Sequence, residues 1–191
     1  AGSHTVEIQV LEKTFQVSAG SFFQVNTAMA EALVKHLLDT IPQFHTISPQ
    51  TTLLDVYSGV GLFSAFFADK VGRIIAIESS PSATEDFVVN LDAYDSIELY
   101  EATAEAVLPY LDVKPDIVLV DPPRSGIDRR ALDGLARLNA PLLVYISCDP
   151  ATLSRDVHRL TAAGYQLAQV TPFDMFPQTY HLETMAILQR G

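Results

Sequence analysis

From Thr51 onward, short apolar runs alternate with segments of helical period, and this rhythm constrains the fold more than any other feature of the chain. The runs at Thr52–Tyr57, Arg73–Ile77, Ile97–Tyr100, Asp116–Asp121 and Leu142–Cys148 predict strands. Helical patterns fit between them and after the last at Leu62–Ala68, Pro81–Asp92, Ala104–Tyr110, Asp128–Leu138 and Ala151–Ala163, the second with Ser80 as cap and Pro81 at its first position. Strands that alternate with helices make a parallel sheet. The last two runs, Tyr165–Pro172 and Glu183–Leu188, are joined by about ten residues that contain Pro177 and show no helical period. That link is too short for a parallel crossover, so the two runs should pair antiparallel. The expectation is an α/β fold: a seven-stranded, doubly wound sheet with an antiparallel last strand and a ligand crevice beyond the carboxyl ends of its strands.

Upstream of this domain, Val6–Leu11 alternates apolar and polar residues, Glu12 and Lys13 interrupt, and Phe15–Val17 resumes the pattern, as in a small hairpin. Two strands alone are marginal, so the hairpin should pack on the main domain or be the stub of a preceding one. The segment Gly20-Ser-Phe-Phe-Gln-Val-Asn26 then leads into a helix with Asn26 or Thr27 as cap, Ala30, Leu33, Val34, Leu37 and Leu38 on its inner face, and Pro42 at its end. The organisation is therefore a tag remnant over residues 1–5, a hairpin and helix over 6–50, and the main domain over 51–191.

The charge limits what the chain can bind. Twelve Lys+Arg against 23 Asp+Glu leave a net charge of −11, which opposes a phosphate-binding surface spread over the whole molecule; nucleic-acid contact must be local or supplied by other parts. One cysteine excludes an internal disulfide and a multi-cysteine metal site, and a reducing cytoplasm is the simplest home. With no apolar run near the roughly 20 residues of a membrane span, and no signal peptide at the start, the expectation is a soluble cytoplasmic protein without a membrane partner.

The first strand of the main domain ends in Leu54-Asp-Val-Tyr-Ser-Gly-Val-Gly-Leu-Phe-Ser64, and the second ends in Glu78. Gly59 and Gly61 would allow a ligand close to the backbone, and an acid at the second strand end can accept hydrogen bonds from ribose hydroxyls. Ser64 stands where a dinucleotide fingerprint has Gly or Ala, and Asp55 where an apolar strand residue is usual. Both departures favour a mononucleoside-type cofactor such as S-adenosylmethionine over NAD. The fourth strand runs into Asp121-Pro-Pro-Arg124, whose prolines must stop the ladder and leave Asp121 and Arg124 at the crevice rim. The fifth runs into Ser147-Cys-Asp-Pro150. Cys148 is either a buried small hydrophobe or a nucleophile whose thiolate is favoured by the helix start at Pro150.

Together these residues resemble the S-adenosylmethionine-dependent RNA uracil methyltransferases that make 5-methyluridine in transfer and ribosomal RNA. The likeness runs from about Gly20 to Leu188. It rests on Phe22-Phe-Gln-Val-Asn26, Asp55-Val-Tyr-Ser-Gly-Val-Gly61, Asp121-Pro-Pro-Arg124, Ser147-Cys-Asp-Pro-Ala-Thr-Leu-Ser-Arg-Asp156 and Asp174-Met-Phe-Pro-Gln-Thr-Tyr-His-Leu-Glu183. The resemblance implies a Rossmann-like class I methyltransferase fold over 51–191 and S-adenosyl-L-methionine as cofactor. It implies Cys148 as nucleophile and Glu183 as base, with Gln24, Tyr57, Glu78 and Asp121 lining the cofactor pocket beside Gly59 and Gly61. Phe22 would lie beside the target base, with Arg124 also on the substrate side. Ser58 departs from a frequent Cys and Asp149 from a frequent Asn, neither touching the implied chemistry.

That chemistry has a reason for each residue type. Carbon 5 of uracil is too weak a nucleophile to take a methyl group from a sulfonium unaided. A thiolate added at carbon 6 makes it an enolate carbon, and a carboxylate must then remove the carbon 5 proton so that the cysteine can leave. The implied partner is tRNA or rRNA, held largely by N-terminal parts outside this chain. An amino-group methyltransferase of the same fold would carry an aromatic residue in place of Arg124 and leave Cys148 without a task; a non-catalytic cofactor-binding module is the other alternative. Nothing suggests a metal: no His-Glu-x-x-His, Gly-x-Ser-x-Gly or Gly-Lys-Ser/Thr motif is present, and the five histidines are scattered. His36 and His158 are read as helix-surface residues, His45 as a loop residue, and His181 falls inside the last motif.

Overall fold

The computed structural model describes residues 4–175, 178–179 and 182–191. Residues 51–191 carry the expected seven-stranded sheet, in the order β5-β4-β3-β6-β7-β9-β8. Its strands are β3 (Thr52–Val56), β4 (Arg73–Glu78), β5 (Ile97–Glu101), β6 (Ile117–Val120), β7 (Leu142–Ser147), β8 (Tyr165–Phe173) and β9 (Glu183–Arg190). The first five run parallel. β9 enters between β7 and β8, antiparallel to both.

Each central strand is apolar on both faces, because helices cover both. The period of two divides the side chains cleanly. Leu53, Ile74, Ala76, Ile117, Leu119, Val144 and Ile187 point into one core, with α1 (Thr27–Phe44), α2 (Leu62–Phe67) and α3 (Pro81–Leu91) on that side. Leu54, Val56, Ile75, Ile77, Val118, Val120 and Leu188 point into the other, under α4 (Ala104–Val107), α5 (Arg129–Leu138) and α6 (Pro150–Ala162). Asp55 follows Leu53 on the first face in this alternation and is fully buried. Ser64 Oγ on α2 donates to its Oδ2 at 2.6 Å, so the two departures from the dinucleotide pattern are partners.

The N-terminal hairpin packs on the main domain. β1 (Thr5–Val10) pairs with β2 (Lys13–Ser18), so Thr5, set aside with the first four residues on the sequence alone, lies in a strand opposite Ser18. Phe15 and Val17 enter the first core. Asp86 on α3 closes the seam, accepting from Ser18 N (2.7 Å), Ser18 Oγ (2.8 Å), Ser21 Oγ (2.6 Å) and Gln16 Nε2 (3.2 Å). Burial alone would raise its carboxyl, but these four donors carry it below the ordinary value. The seam delivers residues 20–24 to the edge of the site.

Two helix expectations need correction. Pro42 does not end α1, which continues to Phe44. So near the C-terminus the ring removes one hydrogen bond, and the His45 N–H still reaches the Ile41 carbonyl at 2.9 Å. The helix expected to reach Tyr110 is regular only over Ala104–Val107. His36 is not a free surface residue: its Nε2 lies 3.2 Å from Thr171 Oγ1 on β8, and its ring meets Phe173 edge-on.

Candidate active site

The strand order reverses between β3 and β6, and ligands of doubly wound sheets bind at such a point. A cavity of about 570 Å³ opens there, lined by the turn after β3, the end of β4, the loop after β6, Cys148 after β7, the first residue of β9, and residues 20–24. Of the ten site residues expected, nine line it: Phe22, Gln24, Tyr57, Gly59, Glu78, Asp121, Arg124, Cys148 and Glu183.

The glycine-rich turn is held by Glu78. Its Oε2 accepts the Gly59 N–H at 2.9 Å, and its Oε1 accepts those of Ser79 and Ser80, both at 2.7 Å. The carboxylate thus pins the turn and the start of α3 while presenting itself to the cavity. Tyr57 opens the turn in the left-handed region (φ 64°), a conformation that costs a non-glycine residue about 1–2 kcal/mol. Hydrogen bonds from Tyr57 N and Ser58 N to the Ile77 carbonyl hold it there.

Gly61 is the exception among the expected site residues. It adopts φ 89° at the start of α2, and a Cβ there would meet Leu91 Cδ1 at 2.7 Å and Phe87 Cδ2 at 3.0 Å. Close approach is required, but to α3 and not to a ligand. Gly59 is the ligand-side glycine: a Cβ on it would meet nothing within 4 Å.

The opposite wall gathers Asp121, Arg124, Cys148 and Glu183. Glu183 is 3% exposed. Among the described residues its Oε1 has no hydrogen-bond partner. Burial pushes its carboxyl up to about 7. Asp121 is also pushed well above the usual carboxylate range, through burial and the neighbouring charges of Glu183 and Asp55. Two carboxyls on one wall do not ionise together cheaply.

Cys148 departs from expectation. The helix start after it does not favour the thiolate, because Asp149 takes that position: its Oδ1 accepts from Ala151 N at 2.9 Å and Thr152 N at 2.8 Å. The Cys148 thiol is pushed up, first by burial and then by Glu183 and Asp121, with only Arg124 opposing through a hydrogen bond and its charge. The cysteine is only partly buried and faces the cavity, so it is not a packing residue.

Sequence reasoning missed Ser58, Phe23, Phe63 and Ser80 on the wall. Ser58 is the informative one: a departure set aside as remote from the chemistry, it lies on the cavity with its buried Oγ unpaired. Its place between Tyr57 and Gly59 was the available signal. Residues 176, 177, 180 and 181 of the last motif, His181 among them, lie outside the described residues.

The family profile described as tRNA (uracil-5-)-methyltransferase matches residues 3–191. The chain belongs to that family. An RNA methyltransferase of Lactococcus lactis is 41% identical to it over 182 residues, covering 93% of this chain and 39% of the relative. One of Thermosynechococcus vestitus is 42% identical over 177 residues, covering 91% and 38%. This family member thus spans about two fifths of the length of the curated relatives it matches. Among solved structures, the Pyrococcus abyssi tRNA (uracil-54, C5)-methyltransferase, determined with S-adenosyl-L-homocysteine, superposes with a TM-score of 0.79 at 29% identity, covering 98% of this chain and 45% of that one. The N-methyltransferase NodS of Bradyrhizobium japonicum, at 15% identity and a TM-score of 0.71, covers 88% of this chain and 100% of its own. It shares the fold alone. The fold of this uracil-methyltransferase family member is therefore the Rossmann-like class I methyltransferase fold.

Proposed function

We propose that this chain transfers a methyl group from S-adenosylmethionine to carbon 5 of a uridine in tRNA or rRNA, through a covalent adduct on Cys148. The observation that carries the reading is the convergence of Cys148, Glu183, Asp121 and Arg124 on one wall of a cavity whose other end is Glu78 and the Gly59 turn.

The cavity fits the cofactor by its charge and by its unpaired groups. Three carboxyls, Glu78, Asp121 and Glu183, face a single arginine, Arg124. A wall so rich in carboxyl oxygens suits a cationic sulfonium better than the pyrophosphate of a dinucleotide. Glu78 is placed to accept ribose hydroxyls, Gly59 leaves open space for a close approach, and buried Ser58 Oγ and Glu183 Oε1 have no partner among the described residues. Bound S-adenosylmethionine would supply an electrophilic methyl group.

The chain's own residues do the rest. The Cys148 thiol gives its proton to solvent in the open cavity, its thiolate is stabilised by the charge of Arg124, and the sulfur bonds to carbon 6 while the electron pair of the carbon 5–carbon 6 double bond moves into an enolate. Carbon 5 then takes the methyl group, the bond from the methyl carbon to the sulfonium breaking with its electron pair left on the sulfur, which departs as a neutral thioether. Glu183 removes the carbon 5 proton; the double bond re-forms and the Cys148 sulfur leaves with its electron pair. Phe22, 73% exposed at the cavity mouth, offers a ring for the entering base. Neither Cys148 nor Arg124 has a task in amino-group methylation, which weighs against that alternative. The remainder of a longer protein would carry much of the RNA contact.

Incubation of the chain with isotopically labelled S-adenosylmethionine and unmodified tRNA and rRNA transcripts, followed by nucleoside mass spectrometry, tests the proposal. Label in 5-methyluridine is expected. Label in a methylated amino group, or cofactor binding without transfer to any transcript, contradicts it.

A further inference from the structure

Beside the catalytic cavity lies a second one of about 450 Å³, and the two share Tyr57 and Pro123 as a common wall. Arg129 at the start of α5 and Arg155 and Arg159 on α6 line it. We propose that this second cavity binds a backbone phosphate of the RNA next to the nucleotide under modification. The inference rests on the methyltransferase reading above and adds to it a position for the flanking strand.

The distribution of charge is the first argument. The two short segments 124–130 and 155–159 hold five of the twelve cationic residues, Arg124, Arg129, Arg130, Arg155 and Arg159, but only two of the 23 acids, Asp128 and Asp156. The rest of the molecule is strongly acidic, so a polyanion is repelled nearly everywhere except here.

The second argument is which of these arginines are already engaged. Arg155 Nε donates to Asp156 Oδ1 at 2.9 Å and its Nη2 to the Ser125 carbonyl at 2.9 Å, which fixes the loop following Arg124. Asp156 is itself held inside the protein by Ile127 N and Tyr145 Oη, both at 2.9 Å. Among the described residues, the side chains of Arg129 and Arg159 make no hydrogen bond or ion pair. Two acids also line the cavity, Glu105 and Asp128. Asp128 is engaged as the cap of α5, accepting from Arg130 N at 2.7 Å. Two exposed, unpaired guanidinium groups, one on α5 and one on α6 beside a loop locked by a third, present planar donor forks to phosphate oxygens. A base inserted past Phe22 toward Cys148 leaves its backbone outside the first cavity. The shared wall of Tyr57 and Pro123 then lies between that backbone and the arginines.

The test is the salt dependence of binding to an unmodified tRNA transcript by the wild-type chain and by an Arg129→Ala/Arg159→Ala double variant. Each phosphate contact contributes about 0.7–0.9 to the slope of log affinity against log salt, so the double variant, losing this one contact, should lose about 0.8 of slope and bind about 10-fold more weakly at low salt. S-adenosylmethionine affinity, measured by calorimetry, should hold, since neither arginine lines the first cavity. An Arg129→Lys/Arg159→Lys variant should recover the slope. A double-alanine variant with wild-type affinity and slope overturns the proposal, as does a wild-type chain whose RNA affinity is indifferent to salt. If the slope is lost as expected but the wild type methylates no uridine, the phosphate site stands and the methyltransferase reading fails.

Discussion

Replacement of Glu183 by Gln isolates the last chemical step. The substitution keeps shape and volume at a position 3% exposed and removes the carboxylate whose ordinary value burial has pushed up to about 7. In the wild type roughly a tenth of Glu183 is ionised one pH unit below that value and roughly nine tenths one unit above, so release of product should rise about ninefold from pH 6 to pH 8. The amide of the Glu183→Gln variant would provide no base, and turnover should fall by about 100-fold to 10,000-fold, the usual contribution of a general base. The first methyl transfer should survive. Glu183 is also one of the charges that push the Cys148 thiol up, so its neutralisation should raise the thiolate fraction and leave the first event as fast as in the wild type, or faster near neutrality. One equivalent of methylated RNA should therefore stay bonded to Cys148 and run as an adduct on denaturing gels. Normal turnover by the Gln variant would make Glu183 an ordinary strand-start acid. Loss of the first transfer as well would make it a substrate-positioning group and pass the proton to Asp121.

Cys148→Ser should abolish methylation while S-adenosylmethionine affinity, read by calorimetry, hardly changes, because an alcohol is a far poorer nucleophile; wild-type turnover by this variant would refute the covalent path. Glu78→Ala should weaken S-adenosylmethionine by about 1–3 kcal/mol, through lost ribose contacts and release of the three N–H groups it holds, and unchanged affinity in a folded variant would remove it from the site. Asp55 reports on stability instead of catalysis. Burial pushes its carboxyl from 3.8 up to about 6. A value raised on folding means the folded state binds the proton more tightly, so wild-type stability falls by about 3 kcal/mol as pH rises from about 4 to about 6 and stays lowered above that. Asp55→Asn should remove this loss, matching the wild type near pH 4 and exceeding it near pH 8 in urea denaturation; a difference that does not vary with pH would contradict the buried-charge account.

The strands and helices of the main domain were legible in the sequence because periods of two and 3.6 are local properties of the chain. So was the position of the site, since a glycine-rich turn, a strand-terminating acid and a Pro-Pro stop each mark a strand's carboxyl end. What failed were readings of single residues that turned on a neighbour distant in sequence. Gly61 reads the same whether ligand or protein approaches it; packing of Phe87 and Leu91 on α3 decided for protein. Asp55 looked like an anomaly until α2 set Ser64 against it. For Cys148, local reasoning saw only the helix start ahead. The fold put Asp149 on those N–H groups and brought Glu183 from β9 and Asp121 from β6 to face the thiol. Covalent order determines which groups lie at the end of a strand. The charge a side chain feels is set through space, across a low-dielectric wall, by groups that only the paired sheet assembles.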